Sequence, residues 1–419
     1  MAPEILDFNI KEVLHLMSLN HTPSSERVHI ALFGKRNVGK SSVINAITNQ
    51  QLSIVSEFEG TTTDPVYKSM EILPMGPVVL IDTAGLDDEG SVGALRIQKT
   101  YQVLNKTDIA VLIVDSNKGL AELDLKLIER FQAKKLPFVI AFNKSDLCTP
   151  SIPYDLKEHC IAVSAKSGNN IPELRQLIAR QIDTSETTVS IVGDLLEPSD
   201  LVILVVPIDS AAPKGRLILP QQQTIRDILD SDAVSIVIKE NQLKETLATL
   251  GKKPKLVITD SQVFEKVASD TPKDILLTSF SILFARYKGN LESAVHGAKM
   301  LDMLQDNDYV LISEGCTHHR QCDDIGTVKM PRWIQEYTNK KIHFDFTSGT
   351  QFSEDLSKYK LIIHCGGCML NEKEMKHRVA VAKSQQIPMT NYGTAIAYMH
   401  GILKRSVEAF SSSAMQLEK

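Results

Sequence analysis

The chain has 419 residues, with 46 Lys and Arg against 51 Asp and Glu, a formal net charge of −5, 43% hydrophobic residues and 23% charged ones. That balance belongs to packed globular proteins and excludes extensive disorder, while the length exceeds one hydrophobic core and requires several domains. A slightly acidic chain has no general attraction for phosphodiester backbones, and the longest apolar stretch, around Leu201 to Pro207, is too short for a bilayer, so neither nucleic acid nor membrane is an expected partner.

Met1-Ala2-Pro3-Glu4 does not open a basic and then apolar leader, and the expected location is the cytoplasm. The first strong element is Val28 to Phe33, a buried strand that runs into a glycine-rich loop and a helix starting near Lys40. Apolar runs at Val78 to Ile81, Ile109 to Val114, Pro137 to Phe142 and Ile161 to Val163 alternate with helical patterns around Leu95 to Leu104, Leu123 to Lys134 and Pro172 to Ile182. This alternation predicts an α/β domain over residues 1–183, built on a mostly parallel sheet with helices on both faces. A polar stretch, Asp183 to Thr188, breaks the pattern. A second, smaller α/β segment is expected over 190–254, with a strand at Leu201 to Val206 and a helix after Pro220. A third α/β domain is expected over 255–419, with strands at Leu256 to Thr259, Ile275 to Thr278, Tyr309 to Ser313, Ile342 to Phe346 and Leu361 to Ile363.

Gly34-Lys35-Arg36-Asn37-Val38-Gly39-Lys40-Ser41 fits G-x-x-x-x-G-K-S between a predicted strand and a predicted helix, the context in which this motif cradles a polyphosphate. The backbone from Gly34 through Val38 and Gly39, with Ser42 just inside the helix, faces the anion. Lys40 reaches the terminal phosphates, and the Ser41 hydroxyl ligates Mg²⁺. Asp82-Thr83-Ala84-Gly85 closes the next strong strand, where the Asp82 carboxylate can hold Mg²⁺ through water and the Gly85 N–H can sense the γ-phosphate. Between the two motifs, Gly60-Thr61-Thr62-Thr63-Asp64-Pro65 offers hydroxyls to complete the magnesium shell, with Thr62 the expected ligand. Asn143-Lys144-Ser145-Asp146 reads the base, because the Asp146 carboxylate accepts both N1 and N2 hydrogens of guanine and adenine offers no such pair. Ser164-Ala165-Lys166 suits a backbone contact to the guanine oxygen. GTP and GDP are the expected nucleotides, with Lys40, Thr62, Asp82 and Gly85 the expected catalytic residues.

Four of the six cysteines, Cys316, Cys322, Cys365 and Cys368, fall in the last quarter of the chain, and Cys148 and Cys160 stand alone in the first half. Cys316-Thr317-His318 and His364-Cys365-Gly366-Gly367-Cys368 each follow a predicted strand. If those strands are parallel in one sheet, the two groups converge at one edge. Three thiolates with a variable fourth ligand suit a 4Fe-4S cluster, three cysteines with a histidine suit tetrahedral zinc, and buried unliganded thiols are the third reading. The spacing alone does not choose between iron–sulfur and zinc.

The motifs of residues 28–182, in this order, resemble translation-factor-type GTPases, and Asn37 with the threonine-rich loop narrows the resemblance to the TrmE–Era group. That resemblance implies a potassium ion beside the phosphates, bound with the help of Asn37. The residue after Gly85 is Leu86, where Ras-like enzymes carry a water-orienting glutamine, and slow intrinsic hydrolysis is expected. The GTPase motifs, the middle segment from Ala212 to Gln221 and C-x-H followed far downstream by H-C-x-x-C together resemble the FeFe-hydrogenase maturation GTPases, the HydF family. The resemblance implies a dimerising middle domain and a 4Fe-4S cluster held by Cys316, Cys365 and Cys368, with His318 and His364 near the fourth iron as ligands or outer-sphere groups. It further implies a carrier for the diiron subcluster, loaded by two radical-SAM maturases and delivered to apo FeFe-hydrogenase by a homodimer. Cys322 lies outside the motif. The rival expectation is a TrmE–Era-type RNA- or ribosome-associated GTPase with structural zinc, which would require a basic RNA module.

Overall fold

The computed structural model describes residues 24–49, 65–85, 99–181, 190–207, 217–315, 324–349, 351–353 and 355–410. The chain divides into two compact units, Met1–Ile182 and Asp183–Lys419.

The first unit is a six-stranded sheet of β1 (Val28–Phe33), β2 (Val66–Ile72), β3 (Gly76–Asp82), β4 (Ile109–Asp115), β5 (Phe138–Asn143) and β6 (Cys160–Ala162), in the order β2-β3-β1-β4-β5-β6. Every pair is parallel except β2 with β3. The central strands have no solvated face. All seven residues of β4, Ile-Ala-Val-Leu-Ile-Val-Asp, are buried, which is why they read as a continuous apolar run. Apolar clusters fill both faces, one under the helices Lys40–Thr48 and Ile171–Gln181, the other under Glu122–Ala133. β2 was absent from the sequence expectation. It is an edge strand whose side chains are mostly solvated, so Val-Tyr-Lys-Ser-Met-Glu-Ile carries little apolar signal.

The second unit holds two four-stranded parallel sheets. One orders β7 (Leu201–Val205), β8 (Val234–Ile238), β9 (Leu256–Thr259) and β10 (Leu276–Ser279) as β10-β9-β7-β8. The expected boundary after residue 254 cuts through this sheet, because β9 pairs with β7 from Val202↔Leu256 to Val205↔Thr259. Its core also takes Ala397, Leu403, Val407 and Phe410 from the far end of the described chain. The other sheet orders β11 (Tyr309–Ser313), β12 (His343–Thr347), β13 (Tyr359–His364) and β14 (Met389–Asn391) as β12-β11-β13-β14. β11 and β13 are parallel neighbours, with Ser313 opposite His364, so the chain leaves both strands at the same edge. Among the described residues no helix is long and apolar enough to cross a membrane.

Candidate functional site

The loop leaving β1 enters the helix Lys40–Thr48 through Gly39 at φ 93°. A Cβ there would lie 2.3 Å from Asn143 Nδ2, so conformation and space both demand glycine. Lys40 is buried, and its ammonium donates to the carbonyls of Gly34 at 3.0 Å and Lys35 at 2.8 Å, folding it over the loop. Ser41, the next residue, donates its hydroxyl to Asp82 Oδ2 at 2.7 Å. The two oxygens expected to serve Mg²⁺ are thus together at the start of the helix Lys40–Thr48 and the end of β3. Val38 is buried, Ser42 is half-buried on the first helical turn, and Gly85 packs against the backbone of Arg36. Thr62 and Leu86 lie outside the described residues.

The side chain of Asn143, at the end of β5, joins two loops. Its Nδ2 donates to Val38 O at 2.9 Å, and its Oδ1 accepts from Ala165 N at 3.0 Å. One buried amide therefore ties the phosphate loop to the loop expected to meet the base, with both hydrogen-bonding ends used. Lys144, at φ 65°, donates to Asn37 O at 2.9 Å and to Asp115 Oδ2 at 2.7 Å. Burial pushes the Asp115 carboxyl upward, but the hydrogen bonds from Lys144 and Asn117, with the Lys144 charge, outweigh it and leave its pKa below the ordinary value. Asp146, Lys166 and the Asn37 side chain stand exposed around this frame, and Ser164 is buried beneath it with its Oγ accepting from Ser167 N at 3.2 Å. Asp115 carries no motif and was missed. The available signal was a carboxylate ending an otherwise apolar strand.

At the second site, Cys365 begins where β13 ends. Its N–H donates to Ser313 O at 2.9 Å, and its Sγ accepts from Gly315 N at 3.0 Å and from Gly367 N at 3.4 Å. The segment leading to Cys316 therefore reaches Cys365 directly, fifty positions away in sequence. Gly367 stands at φ 62°, and a Cβ there would meet Met375 Sδ at 2.9 Å, so this turn also demands glycine. Burial and then the neighbouring Cys365 push the Cys368 thiol up, while the Lys288 ammonium and the N–H groups of Cys368 and Met369 draw it down, with a net upward shift. Cys316, His318 and Cys322 lie outside the described residues, and among those described no group of three or more His, Cys, Asp and Glu is placed to hold a metal ion.

His364 is buried at 1% exposure, and both ring nitrogens are engaged. Nε2 lies 2.9 Å from Arg378 Nη1, and a guanidinium can only donate, so Nε2 accepts. Nδ1 then carries the proton and donates to Cys365 O at 2.7 Å. A ring in this state offers a metal no lone pair. Arg378 is itself fully buried, donating through Nε to Glu374 Oε1 at 2.9 Å and through Nη2 to Gly349 O at 2.7 Å. Elsewhere in this unit, Tyr392 donates to the buried Glu314 Oε1 at 3.2 Å. Glu374 and Arg378 were missed because an i,i+4 acid–base pair on a helix reads as a solvated surface pair.

Comparison with known proteins matches three successive segments of the chain. Residues 29–144 match the 50S ribosome-binding GTPase family, residues 191–289 the hydrogen maturase F dimerization domain and residues 292–409 the hydrogen maturase F tetramerization domain. Similar curated proteins include the tRNA modification GTPase MnmE of Laribacter hongkongensis, 32% identical over 38% of this chain and 35% of that protein. GTPase Der of Mycoplasmopsis pulmonis is 34% identical over 34% of this chain and 33% of its own length. The chain thus spans about a third of the length of the curated relatives it matches. Among solved structures, Aquifex aeolicus Era bound to GDP and aluminium fluoride covers 53% of this chain and 98% of its own at 19% identity, with a TM-score of 0.34. The first described domain is a P-loop GTPase domain, with GTP or GDP and Mg²⁺ as its ligands.

Proposed function

Because the chain belongs to the hydrogen maturase F family, we propose that it is a GTP-hydrolysing scaffold and carrier that receives the diiron subcluster of FeFe-hydrogenase from two radical-SAM maturases and delivers it to the apo-hydrogenase. A resident 4Fe-4S cluster held by Cys316, Cys365 and Cys368 is part of this reading. The observation that carries it is the hydrogen bond from Gly315 N to Cys365 Sγ at 3.0 Å, which brings the approach to Cys316 onto the Cys365 thiol.

The residues fit such a group. Two backbone N–H groups already point at Cys365 sulfur, the arrangement that stabilises a thiolate bound to iron, and the loop starts at the end of β13. When bound, the cluster supplies an iron with one position left for an exchangeable ligand. The chain's own residues orient the thiols. His364 pins the Cys365 carbonyl, Gly367 turns the chain toward Cys368, and Ser313 fixes the Cys365 amide.

At the nucleotide site, the loop amides and the start of the helix Lys40–Thr48 bind the phosphates, Lys40 neutralises their charge, and Ser41 with Asp82 holds Mg²⁺. Thr62 completes the magnesium shell, Gly85 senses the γ-phosphate, and Asp146 selects guanine over adenine. Asn37 supports a potassium ion. The segments behind the dimerization and tetramerization matches assemble copies of the chain, and hydrolysis resets loop contacts and partner affinity. The RNA-associated alternative with structural zinc loses its ground, because both segments after the GTPase domain match hydrogen maturase F domains.

Anaerobic reconstitution of the full chain with iron and sulfide tests this reading, and about four of each per chain are expected. Cys365→Ala and Cys368→Ala should lose most of that iron. Stoichiometric zinc without iron in the anaerobically purified protein would sink the carrier reading and revive the zinc one.

A further inference from the structure

Lys288 follows the helix Phe280–Tyr287 and closes it, its N–H donating to Phe284 O at 3.0 Å. Its backbone belongs to the segment matching the dimerization domain. Its ammonium does not. Although only 6% of the residue is exposed, the side chain reaches the cysteine loop and donates to the carbonyls of Gly367 and Leu370, the latter at 3.2 Å. Those acceptors lie in the segment matching the tetramerization domain. They sit on either side of Cys368, so the ammonium spans the turn that presents this thiol.

A buried lysine is a costly residue, since leaving water disfavours its charge unless the surroundings return the lost interaction. Two thiols are close, Cys368 between the two acceptors and Cys365 in the wall of a cavity that Lys288, His364 and Gly366 also line. Once those sulfurs are thiolates bound to iron, the site carries negative charge that a fixed cation stabilises. At a metal centre, outer-shell charge and hydrogen bonding tune the potential as much as the ligands do.

From this placement we infer that Lys288 is a positioning residue of the cysteine site: it clamps the Gly367–Leu370 turn and compensates the negative charge of the thiolate-bound cluster, tying the dimerization segment to the cluster loop. This inference rests on the cluster reading above.

Three variants of the full chain test it, each reconstituted with iron and sulfide and titrated electrochemically under spin-resonance detection. Lys288→Met removes charge and hydrogen bonds at similar length, Lys288→Gln keeps a donor without charge, and Lys288→Arg keeps both. The midpoint potential should fall in Met and Gln, because the reduced and more negative cluster loses its compensating cation, and should stay near the wild-type value in Arg. Loss of iron in Met and Gln with retention in Arg supports the inference equally. A Gln variant with wild-type potential and iron content overturns the charge role, and a Met variant with both unchanged overturns the inference entirely. Wild-type chain that takes up no iron and sulfide fails the cluster reading itself, and Lys288 then has nothing to compensate.

Discussion

The phosphate loop leaves β1 as the cysteine loop leaves β13, each at the carboxyl end of a parallel strand, yet the two are held by different means. Around the phosphate loop, one neutral amide, Asn143, bridges to the neighbouring loop, Lys40 folds over the cradle, and the buried Asp115 carboxylate pairs with Lys144, which is one-third exposed. Behind the cysteine loop, both members of the ion pair are in the interior. Arg378 is fully buried with Glu374, His364 is buried against it, and Lys288 enters from the end of the helix Phe280–Tyr287. A site for a mobile anion needs backbone amides that face solvent. A site for a resident inorganic centre needs ligands that do not move, and buried polar chains lock rotamers for that purpose. The nucleotide site should therefore tolerate loss of a charged side chain without unfolding, and the cysteine site should not.

The largest effect is expected at Lys40. Replacing it with Ala removes the charge proposed to meet the transferring phosphoryl group, and an arginine finger, which supplies comparable charge to that group, is worth about 10³ to 10⁵ in rate. Steady-state GTP hydrolysis should fall by that order, while thermal unfolding and iron content stay near wild type. A Lys40→Ala chain that hydrolyses GTP normally would refute the phosphate-loop assignment. One that unfolds early would erase the contrast between the sites.

Arg378 gives the complementary test. Arg378→Met leaves the Glu374 carboxylate buried without its partner, at a cost of about 3 to 5 kcal/mol, so the second unit should melt earlier while hydrolysis persists. Removing Glu374 as well, in the Arg378→Met, Glu374→Met double variant, should recover much of that loss, since removing both ions spares the desolvation of either. His364→Gln sharpens the point further. With neither imidazole nitrogen open to a metal, this variant should keep its iron and show no lost nitrogen coupling by pulsed spin resonance. A coupling present in wild type and absent in the variant would make His364 a ligand.

How much of this was legible in the sequence follows from where each residue's partner lies. The six-stranded α/β domain was readable because its central strands are apolar throughout, and the order of its motifs already implied parallel strands. The edge strand β2 was not, since its burial depends on β3 alone. The boundary at 254 failed for a related reason. Val-Ser-Ile-Val-Ile of β8 is half-exposed at a sheet edge, and nothing local tells that the next strand, β9, inserts on the far side of β7. At the sites, glycines and motif residues announce themselves because their role is local. Arg378, Glu374 and Lys288 act across 14 to 82 positions or mimic surface pairs, and only the packed chain distinguishes a buried cation from a solvated one.

The smallest expected effect belongs to Asp115, and its pH dependence separates an ion pair with one solvated partner from the fully buried pair of Arg378 and Glu374. The folded pKa of this carboxyl lies below the ordinary value, the net of burial raising it and the Lys144 and Asn117 interactions lowering it. A depressed carboxylate contributes stability that is complete above its unfolded pKa and disappears as pH falls through the folded one. Lys144 is one-third exposed, so solvent screens the pair and about 1 kcal/mol is a reasonable scale. Asp115→Asn should therefore lower the melting temperature of the full chain slightly near neutral pH and match wild type in acid below the carboxylate range. A gap between the two proteins that persists unchanged into acid would mean that Asp115 acts through shape and hydrogen bonding, and its charge would then contribute nothing to holding the nucleotide site.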